Sequence, residues 1–229
     1  MPTVFDCLDD DQLLAGLRAA RQALARGELV VLPTDTVYGV AADAFSPAAV
    51  ARLLAAKGRG RAQPPPVLVS GRDMLGALVE EVPEPIERLI AAFWPGGLTI
   101  VLPAQPSLTW DLGDTAGTVA VRMPDHRIAR EVIADTGPLA VSSANLSGQR
   151  AAVSSIDAER MLGESVAVYL DGGASQTGIA STIIDATALV RPAAGAAARV
   201  RILREGAVRR AELAGILGDL LEEEPGGTE

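Results

Sequence analysis

The sequence has one cysteine, Cys7, and one histidine, His126. A single thiol excludes an internal disulfide framework and any cysteine-rich zinc site. A single imidazole excludes paired-histidine metal motifs such as H-E-x-x-H. Aromatic residues make up 3% of the chain, too few for a platform that stacks successive bases of a single strand. No apolar run reaches the roughly 18 residues that a membrane span needs. The first residues, MPTVFDCLDDD, are acidic where a signal peptide is basic and then apolar. The expectation is therefore a soluble cytoplasmic protein. No Ser/Gly/Pro linker divides the chain, and no internal repeat is visible.

What is present is core-forming material. Of 229 residues, 48% are hydrophobic and 21% charged, which supports one sizeable α/β domain and excludes global disorder. The formal net charge is −9. Asp6, Asp9, Asp10 and Asp11 at one end, and Asp219, Glu222, Glu223, Glu224 and Glu229 at the other, account for all of it. The body between them is neutral in sum. Every base but one is arginine; the exception is Lys57.

Periodicity gives the elements. Residues 11–26 place Leu13, Leu14, Leu17 and Leu24 at helical spacing, with aspartates as caps. Residues 28–33 read as a buried strand ended by proline. Ser46 and Pro47 open a second helix over AAVARLLAAK. Residues 66–70 read as strand, and 72–93 as two short helices split at Pro83 and Pro85. LTIVL (98–102), TVAVR (118–122) and PLAVS (138–142) are strand-like, with a helix between the last two. A helix at 155–163, strands at 166–170, 181–185 and 200–204, and a C-terminal helix complete the pattern. Such alternation predicts an α/β fold with a twisted, mixed but mostly parallel sheet flanked by helices. The expected division is a catalytic domain over 12–208, a helix over 209–221 and an acidic, disordered tail over 222–229.

Three segments carry chemistry. Pro33-Thr34-Asp35-Thr36-Val37-Tyr38-Gly39 follows a buried strand, where α/β sheets place ligands. The same residues would also make an ordinary capped turn. Lys57-Gly58-Arg59-Gly60-Arg61-Ala62-Gln63-Pro64-Pro65-Pro66 is a basic loop; from residue 44 to 72 there are five bases and no acid. Glycines there allow close approach of a polyanion, and the cations would hold it. It is not a Walker A loop. A solvated basic loop after a helix C-terminus is the alternative. The lone lysine weighs against that alternative, because a compact ammonium fits where a planar fork does not. Ser142-Ser143-Ala144-Asn145-Leu146-Ser147-Gly148 offers hydroxyls and an amide for phosphate or carboxylate oxygens, or else a polar turn. His126 and Cys7 read as structural or incidental.

Taken in order, P-T-D-T-V-Y-G, K-G-R, W-P-G-G-L-T, V-R-M-P, S-S-A-N-L-S-G and S-T-I-I-D resemble the YrdC/TsaC family over roughly residues 12 to 208. The resemblance implies a YrdC-like fold with a central basic cavity. It implies an L-threonylcarbamoyladenylate synthase, which makes threonylcarbamoyl-adenylate and pyrophosphate from L-threonine, bicarbonate and ATP. The product would go to a separate transferase complex that forms N6-threonylcarbamoyladenosine in tRNA. By the same resemblance Lys57 and Arg59 are the catalytic, phosphate-holding pair. Thr36, Tyr38, Arg122, Ser142 and Ser181 bind threonine. Arg61, Thr118, Ser143, Asn145 and Arg204 join Lys57 and Arg59 in binding ATP. Mg²⁺ is expected with ATP, with no protein ligand assigned.

Some positions depart from the family pattern. Gly60 and Pro65 replace a proline and a leucine of the basic loop, Gln63 replaces a lysine or asparagine, and Leu68 stands where some members carry histidine. An RNA-binding module of the same fold, without synthase activity, is the alternative; direct tRNA binding is left open. The carbamoyl-transferring domain of hydrogenase maturation proteins is a further one. Its zinc fingers need cysteines this chain lacks.

Overall fold

The computed structural model describes residues 2–195 and 197–223. The strands are β1 (Thr3–Asp6), β2 (Val30–Leu32), β3 (Gly39–Asp43), β4 (Val67–Leu68), β5 (Leu98–Pro103), β6 (Thr118–Arg122), β7 (Leu139–Ser143), β8 (Val168–Asp171), β9 (Thr182–Asp185) and β10 (Arg201–Arg204). The helices are α1 (Asp10–Ala25), α2 (Pro47–Lys57), α3 (Leu75–Leu78), α4 (Glu84–Phe93), α5 (Arg127–Thr136), α6 (Ser155–Leu162), α7 (Thr187–Val190) and α8 (Arg210–Leu217). All ten strands form one sheet in the order β1-β8-β2-β3-β7-β4-β6-β5-β9-β10.

The sheet is mixed, as expected, but parallel pairs are not the majority. Among the described residues β1/β8, β2/β8, β4/β6 and β5/β9 run parallel, whereas five pairings are antiparallel. The reason lies in the connections. β2 to β3 and β5 to β6 are joined by loops without a helix, so each strand returns beside its predecessor in the opposite direction. Hydrophobic pattern reports burial and carries no information on direction.

Local chemistry explains the helix ends. Asp9 caps α1 by accepting from the backbone N–H groups of Asp11 and Gln12, both at 3.0 Å. Ser46 caps α2 through Ala49 N, Pro47 takes its first position, and Gly58 ends it in the left-handed region at φ 65°. α1 buries Leu13, Gly16, Ala20, Ala23 and Leu24, while Leu14, expected on the same face, points to solvent. The small residues let the helix settle close to the sheet: a Cβ on Gly16 would stand 2.9 Å from Phe5 Cβ. Two strands carried no clear signal. β1 is an exposed, partly acidic edge strand, and β3 (GVAAD) is short-chained and wholly enclosed by neighbours. At the C-terminus α8 stops at Leu217, a short 3₁₀ turn runs to Leu220, and Glu222 N bonds to Val200 O. Most of the expected tail, 224–229, lies outside the described residues.

Two apolar layers sandwich the sheet. Val31, Val40, Val67, Ile100, Val121 and Tyr169 pack with α2, α4, α6 and α8 on one face. Val30, Leu32, Ala41, Leu139 and Leu170 pack with α1 and α5 on the other. The period of two sets this division along each strand. The α1/α5 layer does not extend over β6, β5 and β9. There, the residues opposite Leu98, Ile100, Val121 and Ile184 face a cavity instead.

β9 is pinned at its start by a turn. Thr182 Oγ1 donates to Val208 O and accepts from Gly206 N and Val208 N. A Cβ on Gly206 would collide with Ala180 O and lie 2.7 Å from the Ser181 carbonyl carbon. Gly206→Ala is expected to destabilise the protein by about 1–3 kcal/mol, the usual range for overpacking. A chemical-denaturation midpoint measures it; an unchanged midpoint would refute the close fit.

Candidate active site

The cavity has a volume of about 370 Å³, within the range of small-molecule sites. Its lining includes Thr34, Thr36, Tyr38, Arg59, Thr99, Thr118, Arg122, Ser142, Ser143, Ser181 and Arg204. Alternation along β5, β6 and the start of β9 supplies one wall: Thr99 and Val101, then Thr118, Ala120 and Arg122, then Ser181 and Ile183. Strand ends supply the loops, as in other open α/β sheets.

Arg122 is the buried one of the cavity's three arginines. It ends β6, is 6% exposed, and has each nitrogen bonded. Nε donates to Gly96 O at 2.9 Å, Nη1 to Thr36 Oγ1 at 2.9 Å, and Nη2 to Asp35 Oδ1 at 2.5 Å. Asp35 Oδ1 also accepts from Asp125 N at 3.0 Å. The P-T-D-T turn, the W-P-G-G turn and the V-R-M-P strand end thus meet on one guanidinium. Burial pulls Arg122 below its ordinary value, and the Asp35 charge and hydrogen bond pull it back. Removing one partner of such a pair costs about 3–5 kcal/mol, because the other charge stays buried.

Two further arginines face the cavity without a carboxylate partner among the described residues. Arg59 Nη1 donates to Ser142 Oγ at 3.2 Å, and its buried Nε has no partner. Arg204 donates through Nε and Nη2 to Ser181 O and through Nη2 to Ser181 Oγ. Burial, and then the nearby Arg59 charge, hold Arg204 below its ordinary value. Two unneutralised cations that repel each other across a hydroxyl-lined cavity form an anion site. Ser181 Oγ is also shared with Thr99 Oγ1 at 2.8 Å.

Three expected site residues stand elsewhere, and a fourth, Tyr38, lines the cavity without offering it its hydroxyl. Lys57 is fully buried and does not line the cavity. Its Nζ donates to Ser143 O, to Asn145 O at 2.7 Å and to Asn145 Oδ1 at 3.4 Å. Lys57 therefore builds the Ser-Ser-Ala-Asn loop from beneath. A helix-ending lysine rotated towards the core explains the difference, since α2 buries its last position. Asn145 is likewise spent, donating Nδ2 to Leu146 O and Gln149 O. Arg61 lies outside, paired bidentately with Asp111 at 2.8 and 3.0 Å and with Asp114 at 3.4 Å. It clasps the basic loop to the 111–115 loop, whose Leu112, Asp114 and Thr115 form the cavity rim. Tyr38 lines the cavity, but its hydroxyl turns away to Asp171 Oδ1 and Gly173 O.

Sequence reasoning missed Thr99 and gave no individual role to Thr34 and Asp35, though both lie in the Pro33–Gly39 segment expected at a ligand site. Nothing local showed which side chain of that segment would turn inward. Thr99 had only its strand parity. His126 Nδ1 is buried without a partner; burial lowers the imidazole while Asp35 and Asp125 raise it. Among the described residues no group of three or more His, Cys, Asp or Glu could hold a metal ion, and no helix is long and apolar enough to cross a membrane.

Residues 22–206 match the Sua5/YciO/YrdC family, described as telomere recombination. The chain belongs to this family. A Mycobacterium leprae member with a provisional threonylcarbamoyl-AMP synthase name is 52% identical over 218 residues, covering 95% of both chains. The threonylcarbamoyl-AMP synthase of Pyrococcus abyssi is 38% identical over 77% of this chain, which spans 53% of that longer family member. The solved structure of P. abyssi Sua5 complexed with L-threonine superposes with a TM-score of 0.81 at 33% identity, over 90% of this chain and 58% of that one. The family's relatives are thus named as enzymes, and the YrdC-like fold is the one described above.

Burial, with a smaller part from Arg59, draws the Lys57 amine down to about 8 from an ordinary value of 10.5. Between these values the unfolded chain binds a proton that the folded chain does not. This group's contribution to stability therefore rises with pH across that window and is flat below about 8. The wild type is expected to gain stability relative to Lys57→Met as the pH goes from 8 to 10. Denaturation midpoints of the two proteins would show it, and parallel pH profiles would contradict it.

Proposed function

We propose that this chain makes L-threonylcarbamoyl-adenylate and pyrophosphate from L-threonine, bicarbonate and ATP, the step that activates the carbamoyl group for N6-threonylcarbamoyladenosine in tRNA. One observation carries this reading at the level of geometry. A buried, fully oriented arginine and two unneutralised arginines share one cavity, ringed by hydroxyls. The names of the relatives support it, as does the threonine complex of the P. abyssi protein.

The roles follow from the donors. A guanidinium has five N–H groups, and Arg122 commits three of them. The remaining two suit the carboxylate of threonine. The Thr36 hydroxyl stands at that guanidinium, and Ser142 and Ser181, whose hydroxyls meet Arg59 and Arg204 on the same cavity wall, would complete the threonine site from the phosphate side. Arg59 and Arg204, at the unneutralised side, take the ATP phosphates, with Thr118 and Ser143 along the nucleotide. Lys57, Asn145 and Arg61 act by shaping the two loops, and Tyr38 by its ring and backbone.

The chemistry needs no nucleophile from the protein. The threonine amine adds to bicarbonate, water leaves, and a carbamate forms. A carbamate oxygen attacks the α-phosphate, and pyrophosphate departs with the electron pair of the broken P–O bond. Positioning and neutralisation of phosphate charge supply the catalysis. Among the described residues no group of three or more His, Cys, Asp or Glu could hold the expected Mg²⁺, so the ATP phosphates would carry it. A cytoplasmic setting and hand-over to a separate tRNA transferase belong to the same proposal. The body's cavity cations point inward, which favours a nucleotide over an RNA duplex as their ligand.

Mass spectrometry of a reaction containing ATP, bicarbonate and threonine, with serine as competitor, should show the threonylcarbamoyl-adenylate mass together with pyrophosphate. No such product would overturn the proposal. Arg204→Ala is expected to raise the ATP requirement about 10²-fold, as loss of a charge-stabilising donor does, and to change the threonine requirement far less. Steady-state kinetics in each substrate would reveal the opposite pattern.

A further inference from the structure

We infer that Asp35 is a positioning residue that reserves Arg122 for a carboxylate and keeps it from acting as a third phosphate cation. The inference rests on reading the cavity as a threonine and ATP site.

The three cavity arginines differ in one respect. Arg59 and Arg204 carry their charge unpaired, whereas Arg122 has a buried carboxylate bonded to it at 2.5 Å. Asp35 does not line the cavity. It stands behind the guanidinium and is itself fixed by Asp125 N. The Asp35–Arg122 pair is neutral, so it offers the cavity aimed N–H donors with little net field. Such a group favours a singly charged, planar, bidentate ligand over a polyphosphate, whose binding depends on net positive charge. Asp35 also fixes orientation. Gly96 O and Thr36 Oγ1 hold Nε and Nη1, and without Asp35 the Nη2 corner has no anchor. Both effects sort the two substrates along one cavity: carboxylate at the neutralised arginine, phosphates at the free ones.

The test compares wild type, Asp35→Asn, Asp35→Glu and Arg122→Lys in pyrophosphate release, with inorganic pyrophosphate as the inhibitor. Asp35→Asn should raise the threonine KM about tenfold to a hundredfold, the scale of a misplaced binding group. It should leave the ATP KM nearly unchanged and make pyrophosphate a stronger inhibitor, because Arg122 is now a free cation. A merely structural role would not tighten pyrophosphate. Asp35→Glu keeps the charge, so it should raise the threonine KM without strengthening that inhibition. If Asp35→Asn fails to fold, Asp35→Glu decides. A wild-type threonine KM in either folded variant overturns the inference, as does a parallel rise in both KM values with unchanged pyrophosphate inhibition. Failure of the underlying reading looks different: the wild type itself releases no pyrophosphate from these substrates. If the wild type turns over and Arg122→Lys raises the threonine KM while the Asp35 variants do not, only the role of Asp35 falls.

Discussion

A guanidinium buried at the end of a strand has to be satisfied by its surroundings. Arg122 meets that need with an aspartate, a threonine hydroxyl and a glycine carbonyl from two separate turns. Those bonds fix the P-T-D-T turn after β2 against the W-P-G-G turn before β5. Asp125 N bonds the same carboxylate, which ties in the start of α5. The Arg122 end of the cavity is therefore as rigid as the charges that form it. Leaving any one of them unpaired would cost more than a typical surface substitution.

The other end is built on a different principle. Arg59 and Arg204 are held by hydroxyls and carbonyls, which orient them without cancelling their charge. Lys57 supports this arrangement from below, threading its ammonium under the Ser143–Asn145 carbonyls. Arg61 closes the rim through an exposed pair with Asp111 and Asp114, which contributes little energy and is weakened by salt. One basic segment, Lys57 to Arg61, thus performs three tasks with three cations. Burial separates them: the first is inside the loop, the second faces the cavity, the third faces solvent.

The net charge of −9 bears little on any of this. Its excess acids are at the two ends, whereas the cavity lining holds three arginines and one acid, Asp114. Whole-chain charge governs solubility and long-range encounter. Local pairing governs the site.

Much of the fold was legible in the sequence because its signals are local. Ser46-Pro47 and Gly58 bound α2, and alternation in LTIVL and TVAVR marks β5 and β6. The motif segments sit at strand ends because that is where a buried run gives way to polar residues. Strand direction was not legible, since burial patterns are the same for either, nor were β1 and β3, which lack a strong apolar alternation. For the site, the sequence determined which residue types were available and in what order: hydroxyls, arginines and no protein nucleophile. The tertiary structure alone decided which cation is neutralised. Asp35 and Arg122 are 87 residues apart, Lys57 and Asn145 are 88 apart, and no local rule predicts either pair. Each pair forms only when the fold brings distant element ends to the same place, two strand ends for Asp35 and Arg122, a helix end and a strand end for Lys57 and Asn145, and removes water from between them.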